Sequence, residues 1–202
     1  GLVPGLAFTV TTVYPDPNPE TTTVDGRTGR IGFSETWASI RGGAGDYFDE
    51  SSGYESVPHL KTSATTNQWN YMLRTAYLFD TSSIPDTDSI SSAIFSAACN
   101  AAPSNQFNAA GALTTCTPAS NTALANADYS QFSAIRNADT DVLIADIVTA
   151  GDYYSWTLNA TGLTNISKTG VSKFGLRHSK DIDNSEPTWI SNVQDYALLR
   201  FA

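Results

Sequence analysis

Asp181, Asp183, Asn184 and Glu186 put four oxygen-bearing side chains within the six residues DIDNSE. Alternate oxygens in such a loop can converge on one calcium ion. The run lacks the glycine and the twelve-residue spacing of an EF-hand, and the competing reading is that these groups solvate a loop and close Asx turns. Asp86 and Asp88 are a second candidate for a cation. Trp69, Tyr71, Tyr47 and Phe48 lie in or near loops among amides and carboxylates. They are the side chains expected to stack on sugar rings, although surface aromatics equally complete protein contacts. Asp46, Asp49 and Glu50 could in principle form a hydrolytic carboxylate pair, which needs one raised pKa and a fixed separation across a cleft. Their loop setting favours plain solvation. His59 and His178, the only histidines, fall in expected strands with no nucleophile motif beside them. No G-x-S-x-G, H-E-x-x-H, P-loop or GxGxxG pattern occurs, and a non-enzymatic role is expected.

Composition narrows the partners. The 202 residues carry a formal charge of −9 with only 15% charged side chains. An acidic surface repels phosphate backbones, and no basic stripe offsets it, so nucleic acid is excluded. No apolar run approaches the ~20 residues that span a bilayer. Solubility through hydroxyls and amides suits a protein outside the cell. The opening GLVPGLAFTV has no charged leader and reads as a processed end. Cys99 and Cys116 each close an expected strand. They are read either as a disulfide between neighbouring strands in an oxidising compartment or as two buried free thiols. Asn159 and Asn165 fit the N-x-[ST] acceptor pattern for N-glycosylation.

The elements expected to hold these residues are short strands separated by turn signals. Strands are expected at 6–13, 36–41, 57–62, 72–79, 90–97, 109–116, 141–148, 153–159, 173–178 and 196–201. One helical turn is expected from Ser120 or Asn121, and a second short helix at 161–168. In the strand holding Leu73, alternation puts Leu73, Thr75, Tyr77 and Phe79 on one face and Arg74, Ala76 and Leu78 on the other. Prolines 15, 17 and 19 exclude helix and central strand. Residues 1–30 therefore read as a strand and a proline-stiffened arm, and residues 31–202 as one domain. The fold class is all-β, an antiparallel β-sandwich or jelly roll with one or two short helices in its loops.

Three segments carry a family resemblance: RTAYLFDTSSIPDTDSISSAIFS (74–96), YYSWTLNATGLTNISKTG (153–170) and VSKFGLRHS (171–179). They resemble the DNRLRE type of extracellular β-sandwich module, some of whose relatives are classed as polysaccharide-binding. The six-letter string that names the family does not occur. The family's closing strand follows Pro-x-Leu, which this chain lacks, so an open sheet edge or a strand supplied from elsewhere is expected. The residues also have plain physical roles: Phe79 anchors a strand end, Asp80 accepts from turn amides, Pro85 sets the turn exit, and Trp156 and Phe174 are core aromatics. The resemblance implies adhesion or recognition of a polysaccharide or glycan. The alternative is a structural subunit of a surface filament, appendage or virion that pairs with copies of itself by strand addition or arm exchange.

Overall fold

A computed structural model describes residues 9–51 and 53–201. The β-rich runs become ten strands: β1 (Asp25–Glu35), β2 (Tyr47–Asp49), β3 (Tyr54–Thr62), β4 (Trp69–Asp80), β5 (Ile94–Ser104), β6 (Ala110–Thr115), β7 (Val142–Leu143), β8 (Tyr153–Thr157), β9 (Val171–His178) and β10 (Gln194–Arg200). Three short helices, α1 (Trp37–Gly42), α2 (Ala160–Thr164) and α3 (Ser179–Ile182), lie between them. All pairings are antiparallel. No helix among the described residues is long and apolar enough to cross a membrane.

The organising strand is β4. One of its edges runs along β1; the other pairs first with β3 (His59↔Leu73 to Thr62↔Trp69) and then with β9 (Thr75↔Leu176 to Asp80↔Val171). The ladder thus divides, β3 leading through β10 and β5 to β8, and β9 leading through β6 to β7. The two branches pack their apolar faces together. Leu73, Tyr77, Leu113, Phe174 and Leu176 from one side meet Val57, Phe95, Trp156, Ala197 and Leu199 from the other. Trp156, 1% exposed, donates its indole N–H across this interior to the Gly111 carbonyl at 2.8 Å, so its one polar group is satisfied.

The second face of β4 is buried as well. Ala76 and Leu78 pack with Val24, Leu124 and Phe132, while Met72 packs with Trp37, Ile40, Trp69 and Tyr129. Loops and α1 cover this face. The turn after β4 matches expectation: Asp80 Oδ1 accepts from the Ser82 amide at 3.0 Å.

Several expected elements change. The strand expected at 36–41 is instead α1 with Thr36 as its cap. Thr36 Oγ1 caps it by accepting from the Ser39 amide at 3.3 Å, and Trp37 and Ile40, three apart, bury one helical face. A run this short fits either period. The 141–148 strand shrinks to β7 and a 3-10 turn at Ile144–Asp146, and the helical turn expected near residue 120 is a 3-10 turn at Asn126–Ser130. Residues 6–8 of the first expected strand lie outside the described residues, and 9–13 form no strand.

The proline-rich segment closes a local turn and makes one side-chain bond to the domain. Asp16 Oδ2 accepts from the amides and hydroxyls of Thr21 and Thr22, and Asn18 Nδ2 donates to the Glu50 carbonyl at 3.3 Å. Residues 25–30, read as its continuation, are instead the first half of β1. Their glycines suggest turns but serve close packing: a Cβ on Gly29 would stand 2.2 Å from Leu73 Cδ2 and 2.9 Å from the Met72 carbonyl. The last described strand, β10, lies between β3 and β5, and the end strands of the ladder are β7 and β8.

Cys99 and Cys116 are free thiols, which corrects the disulfide reading. Cys99 sits between the sheets, and Cys116 lies on the opposite face of its sheet with Ala76 and Phe132. Burial raises both thiols, that of Cys116 up to about 12, and the thiolate is the reactive form. The native protein should therefore give no reaction with a thiol reagent, and the unfolded, unreduced protein should give two equivalents. An unfolded protein with no reactive thiol would restore the bridge.

Candidate functional site

The DIDNSE loop follows β9, and its oxygens meet cationic and indole donors instead of one another. Asp181, in α3, is fully buried between two guanidiniums. Arg74 Nε and Nη2 reach its two oxygens at 2.8 and 2.9 Å, and Arg177 Nε and Nη2 at 2.8 and 2.7 Å. Burial alone would raise this carboxyl, but the two arginines outweigh it and hold it well below the usual range. Asp183 takes both terminal nitrogens of Arg136, Asn184 Oδ1 accepts from Trp37 Nε1 at 3.1 Å, and Glu186 Oε1 accepts from Trp69 Nε1 at 2.9 Å. The four residues thus do not converge on a point. Among the described residues no group of three or more His, Cys, Asp or Glu side chains is arranged to hold a metal ion. At the other candidate, Lys168 Nζ donates to the backbone carbonyls of Asp86 and Asp88.

Trp69 is a core residue and not a surface platform. It is fully buried, edge-on to Trp37 and Phe107 with centroids at 5.0 and 5.7 Å. Its indole orients Glu186, and Glu186 lines an open cleft with Asn67, Pro187, Thr188 and Trp189. Trp189 is the aromatic that the sequence reading passed over; its place late in a polar loop was the available signal.

Tyr47 and Tyr71 lie on one face, two strands apart, the face that also bears the inter-sheet core. Register places Tyr47, Gly29, Leu73, His59 and Tyr196 in one transverse row over five strands. At ~4.8 Å per strand the row extends about 19 Å. The next row holds Ile31, Tyr71, Lys61 and Gln194. Tyr47, Tyr71, Tyr196, Lys61 and Gln194 are half-buried. The Lys61 ammonium stands 5.0 Å over the Tyr71 ring, and Arg27 Nη2 donates to the Tyr47 hydroxyl at 2.7 Å beside Asp49. Phe48, one residue on from Tyr47, points to the opposite face and is exposed.

His59 forms the floor of this face. Tyr71 and Tyr196 lie edge-on to it at 5.6 and 5.2 Å, and its Nε2 has no hydrogen-bond partner among the described residues. Burial pushes the imidazole down to about 3; the Gln194 side chain opposes this, while the Arg27, Lys61 and His178 charges act with it. The unfolded chain therefore binds a proton that the native state refuses, between about pH 6.5 and 3. Stability falls on acidification through that window, at up to about 1.4 kcal/mol per pH unit. Asp181 is held low and adds acid sensitivity only below the ordinary carboxylate range. Urea unfolding between pH 6 and 4.5 should thus lose most of its pH slope in His59→Phe, and an unchanged slope would refute this assignment.

The other histidine is structural. His178 Nδ1 accepts from the Lys180 amide at 3.3 Å, so Nε2 carries the proton and donates to Asp195 Oδ2 at 3.1 Å. Asp195 Oδ1 in turn accepts from the Gln106 and Phe107 amides. The pair is buried with neither imidazole nitrogen left for a substrate. Of the glycosylation candidates, Asn159 caps α2, and its Nδ2 donates to the Arg136 and Ala138 carbonyls at 3.1 and 3.0 Å. Asn165 is exposed and donates to Asn137 Oδ1 at 3.1 Å.

Fold and site together define an antiparallel β-sandwich with a half-buried tyrosine-rich face and a separate tryptophan cleft. Compared with family models, curated proteins and solved structures, the chain matches none.

Proposed function

We propose that this chain is a non-enzymatic extracellular module that recognises a glycan on its tyrosine face. The observation that carries the reading is the row from Tyr47 to Tyr196, with Tyr71, Lys61 and Gln194 in the row beside it. Rigid phenol rings offer apolar area at low entropic cost, and the amide and ammonium supply hydrogen bonds to hydroxyls. A row of about 19 Å suits an oligosaccharide better than a single ring. Sugar rings lie against Tyr47 and Tyr196, and Tyr71 holds the Lys61 ammonium between them.

Calorimetry against a panel of soluble neutral polysaccharides tests this. Tyr196→Ala should weaken the best binder by about tenfold, equivalent to 1.4 kcal/mol, while Trp189→Ala leaves it within about twofold. The opposite ranking would move the site to the cleft, and no binder in the panel would remove the glycan reading.

A second reading, a structural subunit of a surface filament, appendage or virion, is favoured by β8. This end strand carries exposed Tyr153, and exposed Ile94 lies on its neighbour β5. Strand addition at β8 would give concentration-dependent assembly in light scattering; a monomer at all concentrations excludes it.

A further inference from the structure

We propose that the cleft lined by Asn67, Glu186, Thr188 and Trp189 is a second binding site, and that its ligand is a protonated amino sugar. The proposal goes beyond the tyrosine face and stands whether or not that face binds anything. Its first ground is chemical. The cleft offers one carboxylate, one indole, one amide and one hydroxyl, with Pro187 between them and no Lys or Arg in its lining. An ammonium is the group that both a carboxylate and an indole face attract. The net charge of −9 favours the approach of a cation from any direction.

Preorganisation is the second ground. Glu186 Oε1 is fixed by the buried Trp69 indole at 2.9 Å, and Oε2 has no hydrogen-bond partner among the described residues. The Trp189 indole N–H is buried without a hydrogen-bond partner among the described residues. Both walls are tied to the sheet. Thr62 Oγ1 donates to the Ile190 and Val193 carbonyls, and the Asn192 and Ser63 amides donate to the Ser63 and Gln68 carbonyls. A carboxylate held by a core tryptophan needs little ordering when a ligand arrives. Asn67 and Thr188 decide between an amino sugar and a lysine side chain, because only the sugar brings ring hydroxyls for an amide and a hydroxyl to bond.

Two oligosaccharides that differ only in this charge provide the test: a glucosamine oligomer and its fully N-acetylated counterpart, followed by tryptophan fluorescence and calorimetry near pH 6. The glucosamine oligomer should bind at least about fivefold tighter, as expected for one exposed cation–π contact joined to one exposed ion pair. Glu186→Gln keeps an oxygen for the Trp69 indole and should erase that preference, whereas Tyr196→Ala should leave it in place. Equal binding of the two oligomers overturns the proposal, as does a lysine-rich peptide that competes better than the sugar. Loss of the preference in Tyr196→Ala but not in Glu186→Gln would also overturn it, by assigning the amine to the other face.

Discussion

Asp181→Asn should destabilise the protein by about 3–5 kcal/mol, because removing one member of a buried ionic cluster leaves the others uncompensated. Two guanidiniums bind this carboxylate side-on, and a single amide cannot accept all four N–H bonds. The remaining arginine donors are already engaged: Arg74 Nη1 with the Tyr129 carbonyl at 2.6 Å, Arg74 Nη2 with the Arg41 carbonyl at 3.0 Å, and Arg177 Nη1 with the Ser133 carbonyl at 2.9 Å. The Arg74 guanidinium also lies 4.1 Å over the Tyr129 ring. The cluster therefore fastens β4, β9, α1, α3 and the Asn126–Ser130 turn to one another. At about 2–4 °C per kcal/mol for a chain of this size, the thermal midpoint should fall by about 6–20 °C. Asp183→Asn is the control. Its partner Arg136 is partly solvated and also holds Asp141, and an exposed pair contributes at most about 1 kcal/mol. Urea unfolding curves for both variants decide the matter, and a loss below about 1 kcal/mol for Asp181→Asn would refute it.

Trp69→Ala should cost a comparable amount, about 3–5 kcal/mol for emptying a buried tryptophan site. The vacated space would face Trp37, Ile40, Met72 and Phe107, so α1 would lose much of the surface it packs on. Glu186 would lose its indole donor at the same time. Trp69→Phe separates these effects, since it keeps most of the packing and removes only the N–H. Amide exchange should show α1 opening faster in Trp69→Ala and near its normal rate in Trp69→Phe. If Trp69→Ala instead keeps full stability, Trp69 is not the core residue described above.

These two residues mark where reading the sequence stops. Local pattern was sufficient for the all-β class, because short runs of aromatic and β-branched residues between Pro, Gly and Asn signals leave few other folds. It was sufficient for Asp80, whose acceptor role is settled two residues away, and for Trp156 and Phe174, which sit on apolar alternations. It failed at residues 36–41, where the run is too short to set its own period, although Trp37 and Ile40, three apart, share a face only in a helix. It failed again at residues 25–30, where the absence of a Cβ serves contact with β4 rather than a turn.

Asp181 and Trp69 are a different case, because nothing near them in the chain states their role. Whether a carboxylate meets a cation from solvent or an arginine from β4 depends on a partner 107 residues away. Whether Trp69 stacks on a sugar or on Trp37 depends on a helix that packs over the sheet. Composition and periodicity determined that this chain would build a sandwich, acidic and sparing in charge. Only the tertiary structure decided which polar groups pair inside it and which aromatics remain at its surface, since desolvation and charge pairing act between segments that are distant in sequence and adjacent in space.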